Sequence, residues 1–368
     1  RVLLINIKIT LLDNDTRYSF SFSFLLYLST WLTHYNKNNN LFFSYLHRRK
    51  MSHVLILCII FLPIIIESRS ISVSHVNPSD VKRFESKLDT EIGYWSPSTS
   101  SIDWCERNYV VTYYIAEFWN CISSFAMCLL AILLTIRGLY NGIEKRFLLL
   151  IFSFGIVGLG SAYFHGTLTY LGQMADELPM VYSMIVWWFI LFRMNKSTLT
   201  STISPIDILV LFGVFYGFLW TYIHSLKTFV VIFQLHFTLM ILGGLIRLIQ
   251  IYKQIHCRTH YIFYLLVAYF STLILATICW LCDQKFCEQL NQNENMNPQL
   301  HAWWHLLMTV NFHMSVVCVE AMRLLSIQYE QQPTQNFKPE NHLRIVFHYG
   351  LPFVDYSKQK HQKEKKIN

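Results

Sequence analysis

Charge is scarce in this chain: Asp, Glu, Lys and Arg make up 14% of its 368 residues, and 53% are hydrophobic. An ordinary water-soluble globule carries about a quarter of its residues charged, so that class is excluded, and the mean hydropathy of +0.33 points the same way. No Gly-rich phosphate loop and no internal repeat is present, which removes P-loop nucleotide chemistry and solenoid architectures. The first fifty residues contain no methionine and hold the asparagine-rich Asn36–Asn40. Residues 1–50 therefore read as a non-native or extended gene-model leader.

What the chain has instead is apolar runs of the length that crosses a bilayer, about 18 residues or more. From Met51, the run Val54–Ile66 is short and is followed by Ser68-Arg69-Ser70, a signal-peptide pattern over 51–70. A polar leader over 71–92 comes next. Seven spans are expected over 93–325: Tyr109–Ile136, Phe147–Phe164, Leu178–Phe192, Ile206–Ile223, Phe229–Ile246, Tyr261–Cys282 and Ala302–Leu325. The fold class is all-α, a polytopic seven-helix membrane bundle. Arg137, Lys145, Arg146, Arg193, Lys196, Arg247, Lys253 and Arg258 mark one side, as does the lysine-rich tail of 326–368. The positive-inside rule makes that side cytosolic and the N-terminus lumenal. The formal charge of +8 thus sits in loops and tail; the expected partner is the membrane, with no nucleic acid and no protein partner implied.

The same parity gathers chemistry at one membrane face. Gly160-Ser161 and His165 close the second span, Asp176-Glu177-Leu178-Pro179 opens the third, and His301-Ala302-Trp303-Trp304-His305 opens the seventh. At i, i+4 on a helix, His301 and His305 share a face. Three imidazoles and a carboxylate at this depth point to an intramembrane zinc site with His165, His301 and His305 as ligands. Asp176 could equally cap the third span. Ser161, one turn before His165, faces the same cavity. His236 and His313 lack sequence partners and are left as interfacial side chains, and Trp303-Trp304 reads as an aromatic belt.

A second constellation precedes the first span. Oxygens of Asp103, Glu106, Asn108 and Glu117, with the Trp104 carbonyl, would make a hard-cation cage of the kind calcium prefers. It is not an EF-hand loop, and Glu117, deep in an apolar stretch, is the member that needs a partner.

The stretch Gly93-Tyr94-Trp95-Ser96-Pro97 running into Asp103-Trp104-Cys105-Glu106, then Tyr114-Ile115-Ala116-Glu117-Phe118-Trp119-Asn120, resembles the N-terminal signature of the alkaline ceramidases, in particular the alkaline phytoceramidase branch. Glu144-Lys145-Arg146, Asp176-Glu177-Leu178-Pro179-Met180, Phe286-Cys287-Glu288 and His301 to His305 match it too, so that Gly93–Leu325 is covered in order. The resemblance implies a zinc amidohydrolase that cleaves ceramide, dihydroceramide or phytoceramide to a sphingoid base and a fatty acid. It also implies that Asp176 orients or deprotonates the attacking water, that Ser161 contacts the oxyanion, and that Asp103, Trp104, Glu106, Asn108 and Glu117 hold calcium. Ala162-Tyr163, Gly166 and Gly172 depart from the family pattern and bear on acyl-chain preference. The layout also resembles the adiponectin-receptor type of seven-span zinc protein; the calcium motif and the Gly93–Pro97 signature favour the ceramidases.

Nine cysteines are present, mostly within spans. Cys105 and Cys287 fall on the lumenal side, where a disulfide can persist, with Cys282 as the competing partner. Lys365-Lys366-Ile367-Asn368 resembles a dilysine retrieval signal and places the protein in the endoplasmic reticulum or Golgi. Asn195-Lys196-Ser197 has the form of a glycosylation site, but parity puts it in the cytosol.

Overall fold

The computed structural model describes residues 8–13, 16–21, 92–194, 208–226, 230–255, 259–291, 297–331, 343–348 and 351–355. The expected signal peptide, the leader of 71–91, the Asn195 tripeptide and the dilysine end lie outside these. Near the N-terminus β1 (Lys8–Asp13) and β2 (Thr16–Ser21) form an antiparallel hairpin, with Lys8 opposite Ser21. The helices follow: α1 (Phe118–Asn141), α2 (Lys145–Thr167), α3 (Tyr170–Phe192), α4 (Ile208–Ser225), α5 (Val230–Gln254), α6 (His260–Lys285), the single turn α7 (Cys287–Leu290) and α8 (Leu300–Gln331). Six of them, α1, α2, α3, α5, α6 and α8, are long and apolar enough to cross a membrane; α4 is apolar but shorter. The protein is an integral membrane protein whose bundle is all-α.

Helix α1 begins nine residues later than the apolar text from Tyr109 implies. The Glu106 carboxylate accepts the backbone N–H groups of Trp119 at 2.7 Å and Asn120 at 2.8 Å. Those are donors that no preceding helical turn can satisfy, and an anion there also complements the helix dipole. The Tyr109–Glu117 stretch is instead an irregular segment, with Tyr109 at φ 57°, folded over the end of the bundle.

The connection between α2 and α3 is shorter than expected. Only Leu168 and Thr169 intervene, and the Thr169 hydroxyl accepts the Gly172 N–H as the N-cap. Asp176 is therefore not the cap: it lies in the second turn of α3, and Pro179 lies inside the helix. Proline has no N–H for the carbonyl four residues back, which here belongs to Ala175. Gly160 of α2 lies against that carbonyl so closely that a Cβ would sit 1.8 Å from its oxygen. A small residue is thus required where the two backbones touch, as is common in packed membrane helices.

The large apolar core runs through α1, α2, α3, α5, α6 and α8, with Ile190, Leu191, Met194, Val319 and Leu325 fully buried. At the end opposite the histidines, buried Arg323 donates to Glu144 at 3.1 Å and to the Met194 carbonyl at 2.5 Å. The last helix continues beyond 325, and a hairpin of β3 (Ile345–His348) and β4 (Leu351–Val354) folds back on the bundle. There His313 bonds the Pro352 carbonyl at 2.8 Å and Arg137 stacks over Phe353.

Candidate metal centre and active-site cavity

Two helices place three imidazoles at one point. His165 comes from the last turn of α2, and His301 and His305 from the first two turns of α8. One ring nitrogen from each lies within 4.8 Å of the others, and all three residues are buried. Among the described residues this is the one group of three or more His, Cys, Asp or Glu side chains with ligand atoms so close.

Each ring is braced. His165 Nδ1 bonds Glu117 Oε2 at 2.5 Å, and its Nε2 is buried with no partner among the described residues. His305 Nδ1 bonds the Ser123 hydroxyl at 2.8 Å. The His301 ring stacks on Trp104, centroids 3.6 Å apart, and its Nδ1 is likewise buried and unpartnered. Buried nitrogens left unpaired are costly, and a hydrogen-bonded far nitrogen with a free near one is how metal-binding histidines are usually held. The residues fit a metal.

Ser161 Oγ bonds Ser124 Oγ at 2.9 Å and lies 3.5 Å from His305 Nε2. Asp176, from α3, lines the same cavity as Ser161, His301 and His305. That cavity, about 270 Å³, continues between α2, α3, α5, α6 and α8 along Leu150, Phe154, Val157, Trp187, Phe237 and Leu273. A polar end and a long apolar body suit an amphiphile with a hydrocarbon chain.

The second constellation sits against the first. Glu117 Oε1 accepts the Trp104 N–H at 3.0 Å, while Oε2 takes both His165 and the Asn120 amide, the latter at 3.2 Å. Asn108 donates to Asp103 at 3.3 Å, and its own side-chain oxygen is buried and has no partner among the described residues. Glu106 is turned towards the start of α1; burial pushes its carboxyl up to about 7, against the pull of the two N–H bonds. The partner Glu117 needs is thus the imidazole of His165, beside the Asp103 carboxylate.

Several contributors carry no sequence signal of their own. Asp283, near the end of α6, accepts the backbone N–H of His301 and of Cys105, both at 3.2 Å. Ser123 and Ser124 read as ordinary small residues of an apolar helix. A disulfide joins Cys105 to Cys287, and Cys282 is a free thiol. Three expectations change. His236 has partners, the Tyr216 hydroxyl at 2.5 Å and a stacked Trp220; His313 is fully buried on the Pro352 carbonyl; and Trp304 lines the cavity rather than only a belt.

A helical membrane protein with a buried three-histidine centre opening on an apolar cavity is the class that fold and site define. The Ceramidase family matches residues 96–346, and the chain belongs to that family. It is 32% identical to alkaline ceramidase 3 of Mus musculus over 245 residues, 64% of this chain and 89% of the relative. It is 32% identical to an alkaline ceramidase of Arabidopsis thaliana over 272 residues, 73% of this chain and 97% of the relative. An alkaline ceramidase of Saccharomyces cerevisiae is 31% identical over 258 residues, 64% of this chain and 80% of the relative.

Proposed function

We propose that this protein hydrolyses the amide bond of ceramide-type lipids, releasing a sphingoid base and a fatty acid, with zinc on His165, His301 and His305. The observation that carries this reading is the meeting of three braced, buried imidazoles with a hydrocarbon-lined cavity in a member of the Ceramidase family. When bound, zinc supplies Lewis-acid polarisation and acidifies water to a pKa of about 7.

The chain's own groups supply the rest. The Asp176 carboxylate faces the cavity and takes a proton from the attacking water as the C–O bond forms. It then delivers that proton to the nitrogen as the C–N bond breaks, so that water is divided between acid and amine. The Ser161 hydroxyl, positioned by Ser124 at 2.9 Å, donates to the oxygen that gains negative charge. Glu117 and Ser123 fix the orientation of His165 and His305. The acyl chain lies along Phe154, Phe237 and Leu273, so the lipid need not leave the bilayer.

Calcium is assigned to Asp103, Glu106, Asn108, Glu117 and the Trp104 carbonyl. The unpartnered Asn108 oxygen and the adjacent carboxylates of Asp103 and Glu117 support a cation there. The positive loops support a cytosolic C-terminus and a site on the lumenal side of the endoplasmic reticulum or Golgi, with α4 as the seventh span.

The test is release of sphingoid base from a panel of ceramides by detergent-purified protein starting at Met51, scanned over pH, beside His301→Ala and Asp176→Ala. Alkaline release that both substitutions abolish, with bound metal lost only in His301→Ala, is the expected result. No release from any ceramide by folded, zinc-loaded protein would overturn the reading.

A further inference from the structure

The turn of α3 that carries Asp176 is short of backbone support. Pro179 brings no N–H to the Ala175 carbonyl, so one helical bond of this turn is missing. Gly160 of α2 rests against that carbonyl, which limits how far the turn can move towards α2. A carboxylate that must meet a water molecule at a set distance and angle needs a second hold.

Buried polar side chains around Asp176 supply it. Glu177, the next residue, is only 7% exposed, and both of its oxygens are engaged. Oε1 accepts the Gln173 amide at 3.0 Å, and Oε2 takes the ring Nε2 of His224, in the last turn of α4. The Gln173 oxygen accepts the Ser101 N–H and hydroxyl, both at 2.9 Å. The Tyr170 hydroxyl donates to the His224 backbone carbonyl at 2.5 Å. The first two turns of α3 are thus fastened to α4 and to the segment before α1. A buried carboxylate and imidazole hold two apolar helices together no better than hydrocarbon packing does, so keeping α4 in place does not account for them. The same helices already meet through a hydroxyl pair, Tyr182 and Thr221, at 2.6 Å.

We propose that Glu177 and His224 are positioning residues, which hold the proline-weakened turn of α3 so that Asp176 keeps its aim into the cavity. The inference rests on the role given to Asp176 above. With the His224–Glu177 bond cut, the turn gives at the missing Ala175–Pro179 bond and Asp176 swings. The three histidines, on α2 and α8, stay where they are.

The test compares the full chain in detergent with His224→Ala, His224→Gln, which keeps an N–H for Glu177, and Tyr182→Phe, which cuts the other bond between the same helices. Neither His224 nor Tyr182 lines the cavity. Hydrogen exchange is read by mass spectrometry over residues 170–182, beside steady-state ceramide hydrolysis and zinc retention. His224→Ala should exchange about tenfold faster around Asp176 and lose about 10- to 100-fold in kcat, with KM and zinc retention as in the parent. His224→Gln should recover most of both losses, and Tyr182→Phe should show neither. Equal effects of His224→Ala and Tyr182→Phe, or zinc lost together with kcat, would mean general loosening and would overturn the proposal. A parent that hydrolyses no ceramide overturns the reading of Asp176 and the positioning role with it, whereas unchanged exchange in His224→Ala overturns the positioning role alone. Should His224→Ala fail to fold, Gln173→Leu, which removes the other donor to Glu177, carries the same decision.

Discussion

Replacing Glu117 by glutamine changes one atom and tests how the histidine centre is held. Glu117 is fully buried, and its two oxygens receive three donors: His165 Nδ1 at 2.5 Å, the Trp104 N–H at 3.0 Å and the Asn120 amide at 3.2 Å. Glutamine keeps one acceptor oxygen and turns a donor towards donors, so His165 loses either its brace or its tautomer. Loss of such an outer partner typically weakens metal binding about 10- to 100-fold, or about 1.4–2.7 kcal/mol. The assay is zinc retention against a graded chelator, read by elemental mass spectrometry at fixed calcium. Asn108→Ala is the comparison, because it touches the proposed calcium set without touching Glu117 or His165. Glu117→Gln should move the competition curve by one to two decades, and Asn108→Ala should leave it in place. A Glu117→Gln protein that keeps zinc as the parent does would refute the argument that this carboxylate positions the ligand.

Other outcomes follow from the same geometry. Gly160→Ala drives a methyl into the Ala175 carbonyl; separating α2 from α3 should cost about 1–3 kcal/mol and lower the melting temperature, and the shift of Ser161 from Asp176 should reduce activity more than binding of product. Cys105→Ser opens the bridge to Cys287 and should cost about 2–4 kcal/mol, seen as a lower melting temperature in non-reducing buffer. Protons compete with metal for neutral imidazoles, but burial of all three rings opposes their protonation, so zinc retention should be flat from alkaline to neutral pH and fall only on strong acidification; loss of zinc already above about pH 7 would contradict three-histidine ligation.

Much of the site was legible because polar groups at the ends of apolar runs are few and expensive. His165, Asp176, His301 and His305 stood out for that reason, and helix parity alone put them on one face. Helix boundaries were less legible, since they depend on remote partners. The Tyr109–Ile115 run is as apolar as a span, but α1 starts where Glu106 meets the Trp119 and Asn120 N–H groups. Asp176 before Glu-Leu-Pro has the local form of a helix start; Thr169 takes that place because α2 ends on Leu168 at φ 47° and the chain turns at once. The roles of Ser123, Ser124 and Asp283 could not be read at all. A serine in an apolar helix, or an aspartate in a loop-facing turn, becomes a brace only when another helix brings a ring or a backbone N–H to it.

The two-residue link between α2 and α3 has a bearing on how the protein is made. Ser161, His165 and Asp176 belong to one hairpin and can pair as soon as that hairpin enters the membrane. The remaining two imidazoles are on α8, the last helix to be synthesised. Between those moments a half-built centre, with Glu117 and His165 holding each other, waits in a low-dielectric setting where unpaired polar groups are costly. The hydrogen bond between them gives each of the two buried groups a partner in that interval. A chain that ends between Phe192 and His301 would hold that pair but not a three-histidine site.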